Sequence, residues 1–324
     1  MVPSNPRQMR VPEHPSVKVH TFGGLWTERK LAALEGYLTA YKHIFDKGRW
    51  ASKYKTIYVD GFAGTGERTE ADHPEPNRSV DLNNQSDLFA PEPGGPENRQ
   101  QRGAKRGSAR VALELASPFD QYLFVEANVT RASQLKDLIQ REEYRALDAR
   151  IEVGDANEVI STWCSATDWH RSRAVVFLDP YGMSVEWSTI ERIARTSAID
   201  LWILFPLGAG INRMLTRGKK PPPSWITKID RILGTDAWQE IFYKELVEQG
   251  LFGEEVTRIV KTATFATMTK FFLERLESVF EAVSPAAMAL TNSRGNPLYM
   301  LCFAAGNKVG APIAVKIANH LLKD

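Results

Sequence analysis

The sequence predicts an α/β fold built on a doubly wound, mostly parallel sheet. The apolar runs YLFV, VVFL and LWILF have the continuous hydrophobicity of parallel strands that are buried on both faces. Segments with helical periodicity separate these runs, as right-handed crossovers between parallel strands require. A turn-rich link at 292–296 joins two further apolar runs, which is typical of an antiparallel hairpin.

The predicted elements alternate along most of the chain. A helix over 25–45, with apolar residues at helical spacing, precedes the strand TIYV and a glycine-rich turn. A helix resumes at GSARVALELA, and the strands QYLFVE, ARIEVGDA, AVVFLDP and IDLWILFP then alternate with helices. The hairpin and a helix at APIAVKIANHLL come last.

Shifts in composition predict one domain with two insertions. Residues 1–23, rich in proline and charge, are expected to form an N-terminal arm ahead of a domain over 24–324. Residues 67–103 are rich in Pro, Asn, Glu and Gly without an apolar period, which predicts a polar loop insertion, disordered or acting as a lid. Residues 210–283, which include DAWQEIFYKELVEQG, are predicted to be a mainly helical insertion.

Charge and cysteine content limit the class of protein. The 324 residues include 41 Lys and Arg against 39 Asp and Glu, which argues against a histone-like nucleic-acid binder but allows a local basic patch. Two isolated cysteines, Cys164 and Cys302, predict no metal site and suggest a reducing compartment. Without a secretory signal or an apolar run of about 18 residues, we expect a cytoplasmic protein with no membrane partner.

The turn that follows TIYV is the first candidate ligand site. Glycines at 64 and 66 let the backbone approach a ligand, and the turn can direct main-chain N–H groups toward an anionic or polar group. A plain tight turn is the alternative. The candidate binding residues are Asp60, Gly61, Phe62, Ala63, Gly64 and Gly66.

Acidic residues follow the next two strands. Glu126 ends QYLFVE, where a carboxylate can accept both ribose hydroxyls of a nucleoside. Glu126 lies 60 residues after Gly66, and without the 37 residues of 67–103 the separation is 23, near the usual offset of about 20. Asp155 follows the third strand and could accept a hydrogen bond from an adenine amine, with Ala156 beside it. The alternatives are a solvated charge at Glu126 and a helix cap at Asp155.

A fourth strand ends in the sequence Asp-Pro-Tyr-Gly. Asp179 is a candidate to accept a hydrogen bond from an attacking amine, and Pro180 stiffens the backbone beside it. Tyr181 could stack on a planar ring. The alternative is an ordinary Asp-Pro turn with a surface tyrosine.

These strand-end features, in this order, resemble the S-adenosylmethionine-dependent methyltransferase superfamily, whose seven-stranded sheet has a reversed last strand. The resemblance implies S-adenosylmethionine as the cofactor, with the residues at 60, 64 and 66 around its methionine part. It also implies Glu126 at the ribose, Asp155 at the adenine and 179–182 in the catalytic motif. Methyl transfer needs alignment and exclusion of water more than acid–base chemistry, which suits a site with one carboxylate and aromatic walls.

A more specific resemblance is to the three-Cys-motif partner family (TcmP). The stretches WTERKLAALEGYLTAYKHI, YVDGFAGTGE, GSARVALEL, VVFLDPYG and YMLCFAAGNKVGAPIAVKIAN support it over roughly 24–320. It implies a methyltransferase encoded beside a cysteine-motif partner protein, and it leaves the substrate open.

The layout is also similar to methyltransferases that modify an adenine amino group in ribosomal RNA. In those enzymes a segment before the first strand helps to hold the carboxylate of the donor, which implies that role for Lys30; a solvated lysine is the alternative. Their motif is Asp-Pro-Pro-Tyr, whereas this chain has one proline and brings the aromatic residue one place closer to Asp179. Ala109 also replaces the proline of their Gly-Ser-Pro helix start.

Two basic stretches are candidate nucleic-acid contacts or ordinary solvated loops. The second supplies the predicted substrate-binding residues. The first contains Arg99, Arg102, Lys105, Arg106 and Arg110, and the second contains Arg213, Arg217, Lys219 and Lys220.

The sequence therefore predicts an S-adenosylmethionine-dependent methyltransferase that acts on a nitrogen of a nucleic-acid base in DNA or RNA. Two alternatives stay open at this point. One is a methyltransferase that acts on protein or a small molecule. The other is a non-catalytic subunit that binds the donor and works with a partner protein.

Overall fold

One sheet of eight strands organises the part of the chain that the computed structural model describes, which is residues 24–47, 53–68, 105–249, 254–292 and 294–323. The predicted arm at 1–23 and residues 69–103 of the predicted polar insertion lie outside these residues. The strands of the main sheet are β1 (Lys55–Asp60), β4 (Gln121–Glu126), β5 (Ala149–Val153), β6 (Ser172–Leu178), β7 (Ile199–Phe205), β10 (Ala282–Val283), β11 (Met288–Thr291) and β12 (Pro297–Ala305). Two separate pairs are β2 (Glu67–Arg68) with β3 (Lys105–Arg106), and β8 (Tyr243–Gln249) with β9 (Glu255–Lys261).

The order of the strands confirms the predicted fold class. Across the sheet the order is β10, β12, β7, β6, β1, β4, β5, and the five strands from β7 to β5 are parallel. β12 is antiparallel to β7, so the last strand is reversed as expected. β10 and β11 both pair with β12, at successive positions along it, so eight strands occupy seven places.

Helices cover both faces of the sheet. They are α1 (Gly24–Lys47), α2 (Ser108–Leu113), α3 (Val129–Ile139), α4 (Ala156–Ala166), α5 (Trp187–Arg195), a π-helix (Leu207–Ile211), α6 (Asn212–Met214), α7 (Pro223–Leu233), α8 (Trp238–Phe242), α9 (Phe265–Glu277) and α10 (Ala311–Leu321). β1 shows the two layers. Ile57 and Val59 join a core with α4, α5, α7 and α9, and Tyr58 joins a core with α1, α2, α3 and α10. Since successive strand residues point to opposite faces, both faces of β1 are buried.

The stretch 210–283 differs from the predicted mainly helical insertion in two elements, because residues 243–249 and 255–261 form the strands β8 and β9. The helix predicted over DAWQEIFYKELVEQG ends at Phe242, and Tyr243–Gln249 forms a strand that pairs with Glu255–Lys261. β8 is exposed after Tyr243 and rich in Glu, Lys and Gln, so its composition does not distinguish a solvated strand from a helix. β9 contains several β-branched residues, which favour a strand, and pairing with β9 fixes the conformation of β8.

The hairpin predicted at 292–296 is confirmed as the turn between β11 and β12. The Asn292 N–H donates to the Asn296 carbonyl at 3.0 Å, and Gly295 has a φ of +76°. The predicted last helix is confirmed as α10. Within the described ranges, none of the helices combines the length and apolarity needed to cross a bilayer.

Candidate functional site

The carboxyl ends of three adjacent strands bring three predicted acidic residues to one edge of the sheet. Asp60 ends β1, Glu126 ends β4, and Asp179 follows β6. β1 lies between the other two strands and is parallel to both, with Asp60 in register with Phe124 and Phe177. Ligands of open α/β sheets bind at this edge, so the fold places the predicted residues where a ligand site is expected.

Gly64 borders open space in the turn after β1. Its φ is +60°, and a Cβ built there would meet no atom of the described residues within 4 Å. The Gly64 N–H donates to Glu126 Oε2 at 3.0 Å, and the Asn128 N–H donates to Oε1 at 2.8 Å. Glu126 is therefore buried and fixed by backbone donors, while each carboxylate oxygen keeps a second lone pair for a ligand hydroxyl.

The other two glycines of the turn serve packing. A Cβ at Gly66, where φ is +74°, would lie 2.4 Å from Leu138 Cδ2 of α3. A Cβ at Gly61 would lie 2.6 Å from Leu178 Cδ2 of β6. These two positions hold the turn against the core, and the position between them is the open one. Ala63 is buried beneath it, with its N–H bonded to the Val125 carbonyl at 3.0 Å.

Asp60 is a wholly buried carboxyl below this turn. Burial raises the pKa of Asp60 to about 7, against hydrogen bonds from the Ser108 hydroxyl and the Phe62 N–H, which favour the charged form. The negative charge of Asp179 raises this pKa further, and the positive charge of Lys30 lowers it. Tyr58 donates to Asp60 Oδ2 over a long 3.5 Å. A cationic group bound here would complete the neutralisation of Asp60.

Lys30 and Asp179 form an ion pair that the sequence analysis did not predict. Lys30 of α1 is 3% exposed, its ammonium donates to Asp179 Oδ2, and the two residues are 149 positions apart. The same ammonium lies 5.3 Å from the ring centroid of Trp26 and 6.0 Å from that of Phe177. Lys30, predicted to hold the carboxylate of the donor, is thus paired with the candidate catalytic residue.

Tyr299 is a site residue that the sequence reasoning missed. Its ring stacks on Trp26 at 6.0 Å, and burial, followed by the charge of Asp179, raises the pKa of the Tyr299 hydroxyl. The positive charge of Arg213 lowers that pKa, so Arg213 also lies within electrostatic reach of this phenol. The predicted reversal of the last strand could have indicated Tyr299, because the start of an antiparallel β12 lies at the edge where the parallel strands end.

The Asp-Pro-Tyr-Gly segment presents its aromatic residue to solvent. Pro180 is buried, whereas Tyr181 is 55% exposed and lies under the Arg131 guanidinium, whose carbon is 5.1 Å from the ring centroid. An exposed ring at this edge can stack on a planar acceptor.

Asp155 takes the position of a helix cap. Its Oδ1 accepts from the Asn157 N–H at 2.8 Å and the Glu158 N–H at 3.3 Å, and Ala156 is the first residue of α4. This is the alternative that the sequence left open for Asp155. The second carboxylate oxygen and the exposed position are compatible with an adenine contact, which stays a prediction.

The two basic stretches have different surroundings. In the first, Arg106 pairs with Glu35 and Glu114, and Arg110 pairs with Glu67 and Glu114, so carboxylates neutralise both guanidinium groups. The predicted contacts Arg99 and Arg102 lie outside the described residues. In the second, four exposed cations lie in α6 or in the loop after it, and one of them, Lys220, lies 4.0 Å from Glu245 Oε1. The four are Arg213, Arg217, Lys219 and Lys220.

Comparisons with known proteins find similarity in backbone structure only. No family model matches the sequence, so membership of the TcmP family stays a prediction. No curated protein matches it. Among solved structures, protein LPL1258 from Legionella pneumophila is 12% identical over 93% of this chain and 92% of its own, with a TM-score of 0.48.

Two further solved structures contain donor-related ligands. The N-terminal domain of EvdMO1 with bound SAH is 9% identical over 83% of this chain and 80% of its own, with a TM-score of 0.34. The magnesium protoporphyrin IX methyltransferase of Synechocystis PCC 6803 with bound SAM is 8% identical over 74% and 81%, with a TM-score of 0.28. At these identities and TM-scores, the likeness bears on neither the ligand nor the reaction of this chain.

Proposed function

We propose that this chain is an S-adenosylmethionine-dependent methyltransferase that modifies a nitrogen of a nucleic-acid base. One observation supports this proposal above the others. Three carboxylates from adjacent strand ends surround an open glycine turn, and one of them lies in an Asp-Pro-Tyr-Gly segment with an exposed ring.

The residues present fit the proposed cofactor. The open space at Gly64 leaves room for a ligand. The buried carboxyl of Asp60, with its pKa of about 7, forms no ion pair with another described residue, and a ligand ammonium can supply one. Glu126 would accept the ribose hydroxyls, and Asp155 would contact the adenine. When bound, S-adenosylmethionine supplies a methyl group attached to a sulfonium. The leaving group is a neutral thioether, so its departure needs no acid.

The chain's own residues orient the acceptor. Asp179 would accept a hydrogen bond from the attacking amine, Pro180 would restrict its backbone, and Tyr181 would stack on the base. The apolar faces of Trp26 and Tyr299 would exclude water from the same edge. Lys30 would hold Asp179 in place through their ion pair. Holding reactants in line in this way is the main contribution that a protein makes to methyl transfer.

A nucleic acid is the favoured acceptor because a basic segment follows the π-helix, which packs on Met183, two residues after the exposed tyrosine. Residues 213–220 follow β7, the strand next to β6, and contribute four cations. A base inside a duplex would have to be flipped out to reach Asp179. A methyltransferase that acts on protein or a small molecule would not need these cations.

A second candidate function is supported by the Lys30–Asp179 ion pair. That pair occupies the carboxylate assigned to catalysis. The chain would then be a donor-binding subunit, and a cysteine-motif partner protein would be needed for turnover.

The test begins with calorimetric titration of the purified protein with S-adenosylmethionine and, separately, S-adenosylhomocysteine. Micromolar binding of either is expected, followed by transfer of a radiolabelled methyl group to DNA or RNA but not to protein. No binding by the folded protein would overturn the proposal. Turnover only after a partner is added would establish the second candidate.

Substitution of Asp179 separates binding from chemistry. Asp179→Ala is expected to bind donor normally and to lose at least about 100-fold in kcat, since positioned acid–base groups contribute on that scale. Asp168→Ala is the matched control, because the exposed Asp168 precedes the same strand at its opposite end. Normal turnover by Asp179→Ala would show that the catalytic assignment is wrong.

A further inference from the structure

A concave surface lies beside the loop that follows α6. It has a volume of about 490 Å³ and is formed by that loop, by β9 and by the start of α9. We name it the cationic cavity; its polar lining is formed chiefly by Asn212, Arg217, Arg258, Lys261 and Thr264.

The charged residues that line the cationic cavity are all positive. Arg217, Arg258 and Lys261 supply three cations, and no carboxylate is among the described residues that line it. Arg217 and Arg258 are both exposed, and neither pairs with a carboxylate within the described part of the chain. Two free guanidinium groups therefore border one concave surface.

Lys261 fixes the geometry of this surface. Its ammonium donates to Asn212 Oδ1 at 2.9 Å, to the Asn212 carbonyl at 3.2 Å and to the Leu215 carbonyl at 3.0 Å. These bonds attach β9 to the segment that leaves β7. Partial burial, followed by the charge of Arg217, lowers the pKa of Lys261. Like charges are thus held close together, and a bound anion would relieve their repulsion.

The cationic cavity is connected to the candidate active site through the π-helix. A Cβ at Gly210 would lie 2.7 Å from Met183 Cγ, so the π-helix packs on the residue that follows the Asp-Pro-Tyr-Gly segment. Asn212 comes directly after the π-helix and lines the cavity. Single-turn π-helices are frequent at functional sites. The start of α9 adds the positive end of its dipole.

We propose that the cationic cavity binds a phosphate group of the polynucleotide backbone, through the guanidinium groups of Arg217 and Arg258. This inference rests on the proposed nucleic-acid substrate and assigns a backbone contact to Arg258, which the sequence analysis did not single out. A planar guanidinium matches two phosphate oxygens at once, which a point charge does not. The phosphate contact positions the strand, and Tyr181 receives the base.

The test uses binding alone, in the absence of donor. Fluorescence anisotropy would measure the affinity of the full chain for a labelled single-stranded RNA 12-mer as salt is raised. In the double variant Arg217→Gln/Arg258→Gln, the log–log salt slope should become shallower by about 0.7, the contribution of one phosphate contact in a single strand. At about 0.1 M salt that contribution corresponds to a roughly fivefold loss of affinity.

A matched control removes two cations elsewhere. Lys270→Gln/Arg195→Gln deletes exposed cations of α9 and α5 that do not line the cavity. It should leave the slope unchanged, and both double variants should keep the melting temperature of the wild type. An equal fall in the control, or an unchanged slope in the cavity variant, would overturn the assignment.

A second arm separates a backbone phosphate from a free one. Inorganic phosphate at constant ionic strength should compete with the RNA only weakly. If inorganic phosphate binds the wild type but not the cavity variant, and RNA binding is equal in both, the cavity takes a free phosphate and the backbone assignment is wrong. If RNA binds through the cavity but is never methylated, base methylation fails while the phosphate site stands.

Discussion

Asp60 and Asp200 are the same chemical group, buried in opposite edges of one sheet. Asp60 ends β1 at the carboxyl edge, and Asp200 is the second residue of β7 at the amino edge. Burial raises the pKa of each carboxyl to about 7. A perturbed pKa often indicates a functional site, but here both carboxyls have one, so the pKa alone does not identify the site.

Their neighbours separate the two carboxyls. Asp200 accepts a hydrogen bond from the Tyr37 hydroxyl at 2.6 Å and interacts with the Gly306 backbone, so it ties α1 and the end of β12 to the sheet. Asp60 lies below an open glycine turn and within electrostatic reach of Asp179 and Lys30. Asp200 is also within electrostatic reach of a charged residue, Arg173. The comparison teaches that burial raises the pKa of a carboxyl in either place, and that adjoining open space identifies the ligand site.

The largest expected difference between them is in donor binding. Asp60→Asn should weaken S-adenosylhomocysteine binding about 100-fold, because hydrogen bonds to charged groups contribute up to about 3 kcal/mol. Asp200→Asn should leave it unchanged. Calorimetric titration of both variants at pH 8 measures the two affinities, and equal losses would abolish the distinction between the two sites.

The second comparison concerns how the free energy of unfolding depends on pH, for which we expect the two carboxyls to behave alike. Each pKa is about 7 in the folded chain and near 3.8 in the unfolded chain, so the folded state keeps its proton to higher pH. The free energy of unfolding therefore falls as pH rises from about 4 to about 7, by roughly 1.4 kcal/mol per pH unit for each carboxyl.

Either asparagine variant should remove one such contribution. Urea unfolding between pH 4.5 and 7.5 would measure it as a shallower decline, of the same size for Asp60→Asn and Asp200→Asn. A decline as steep as that of the wild type would mean that the carboxyl in question is not protonated at low pH in the folded chain.

The smallest effect compares the tyrosines that approach each carboxyl. Tyr37→Phe removes a 2.6 Å hydrogen bond and should lower the free energy of unfolding by about 1–2 kcal/mol. Tyr58→Phe removes a 3.5 Å contact and should lower it by less than about 0.5 kcal/mol. Thermal or urea denaturation would compare them, and the reverse order would contradict the tight anchoring of Asp200.

The sequence could predict the parallel strands and the strand ends of the site because both are local patterns. The runs YLFV, VVFL and LWILF within β4, β6 and β7 are apolar without interruption, and Asp60, Glu126 and Asp179 each come directly after apolar strand residues. It could not predict β8, whose polar composition fits a helix equally well and whose form depends on pairing with β9.

Contacts between distant parts of the chain could not be predicted from the sequence either. The Lys30–Asp179 ion pair joins residues 149 positions apart, and the packing of Tyr299 on Trp26 depends on how α1 lies against β12. The capping of α4 by Asp155 was foreseen as an alternative, because an aspartate before a helix has two uses that local sequence does not distinguish.

The short pair β2–β3 has a consequence for how this chain can vary. Glu67 and Arg106 are paired residues, so the two positions between which this segment is connected lie side by side. Glu67 also binds Arg110 of α2 at 3.0 Å and Arg141 after α3 at 2.7 Å, which anchors that base to the helices beneath it. Because the ends are fixed and the cost of a longer loop grows only slowly, the length of this segment can change freely between descendants while the sheet and its acidic edge are inherited intact.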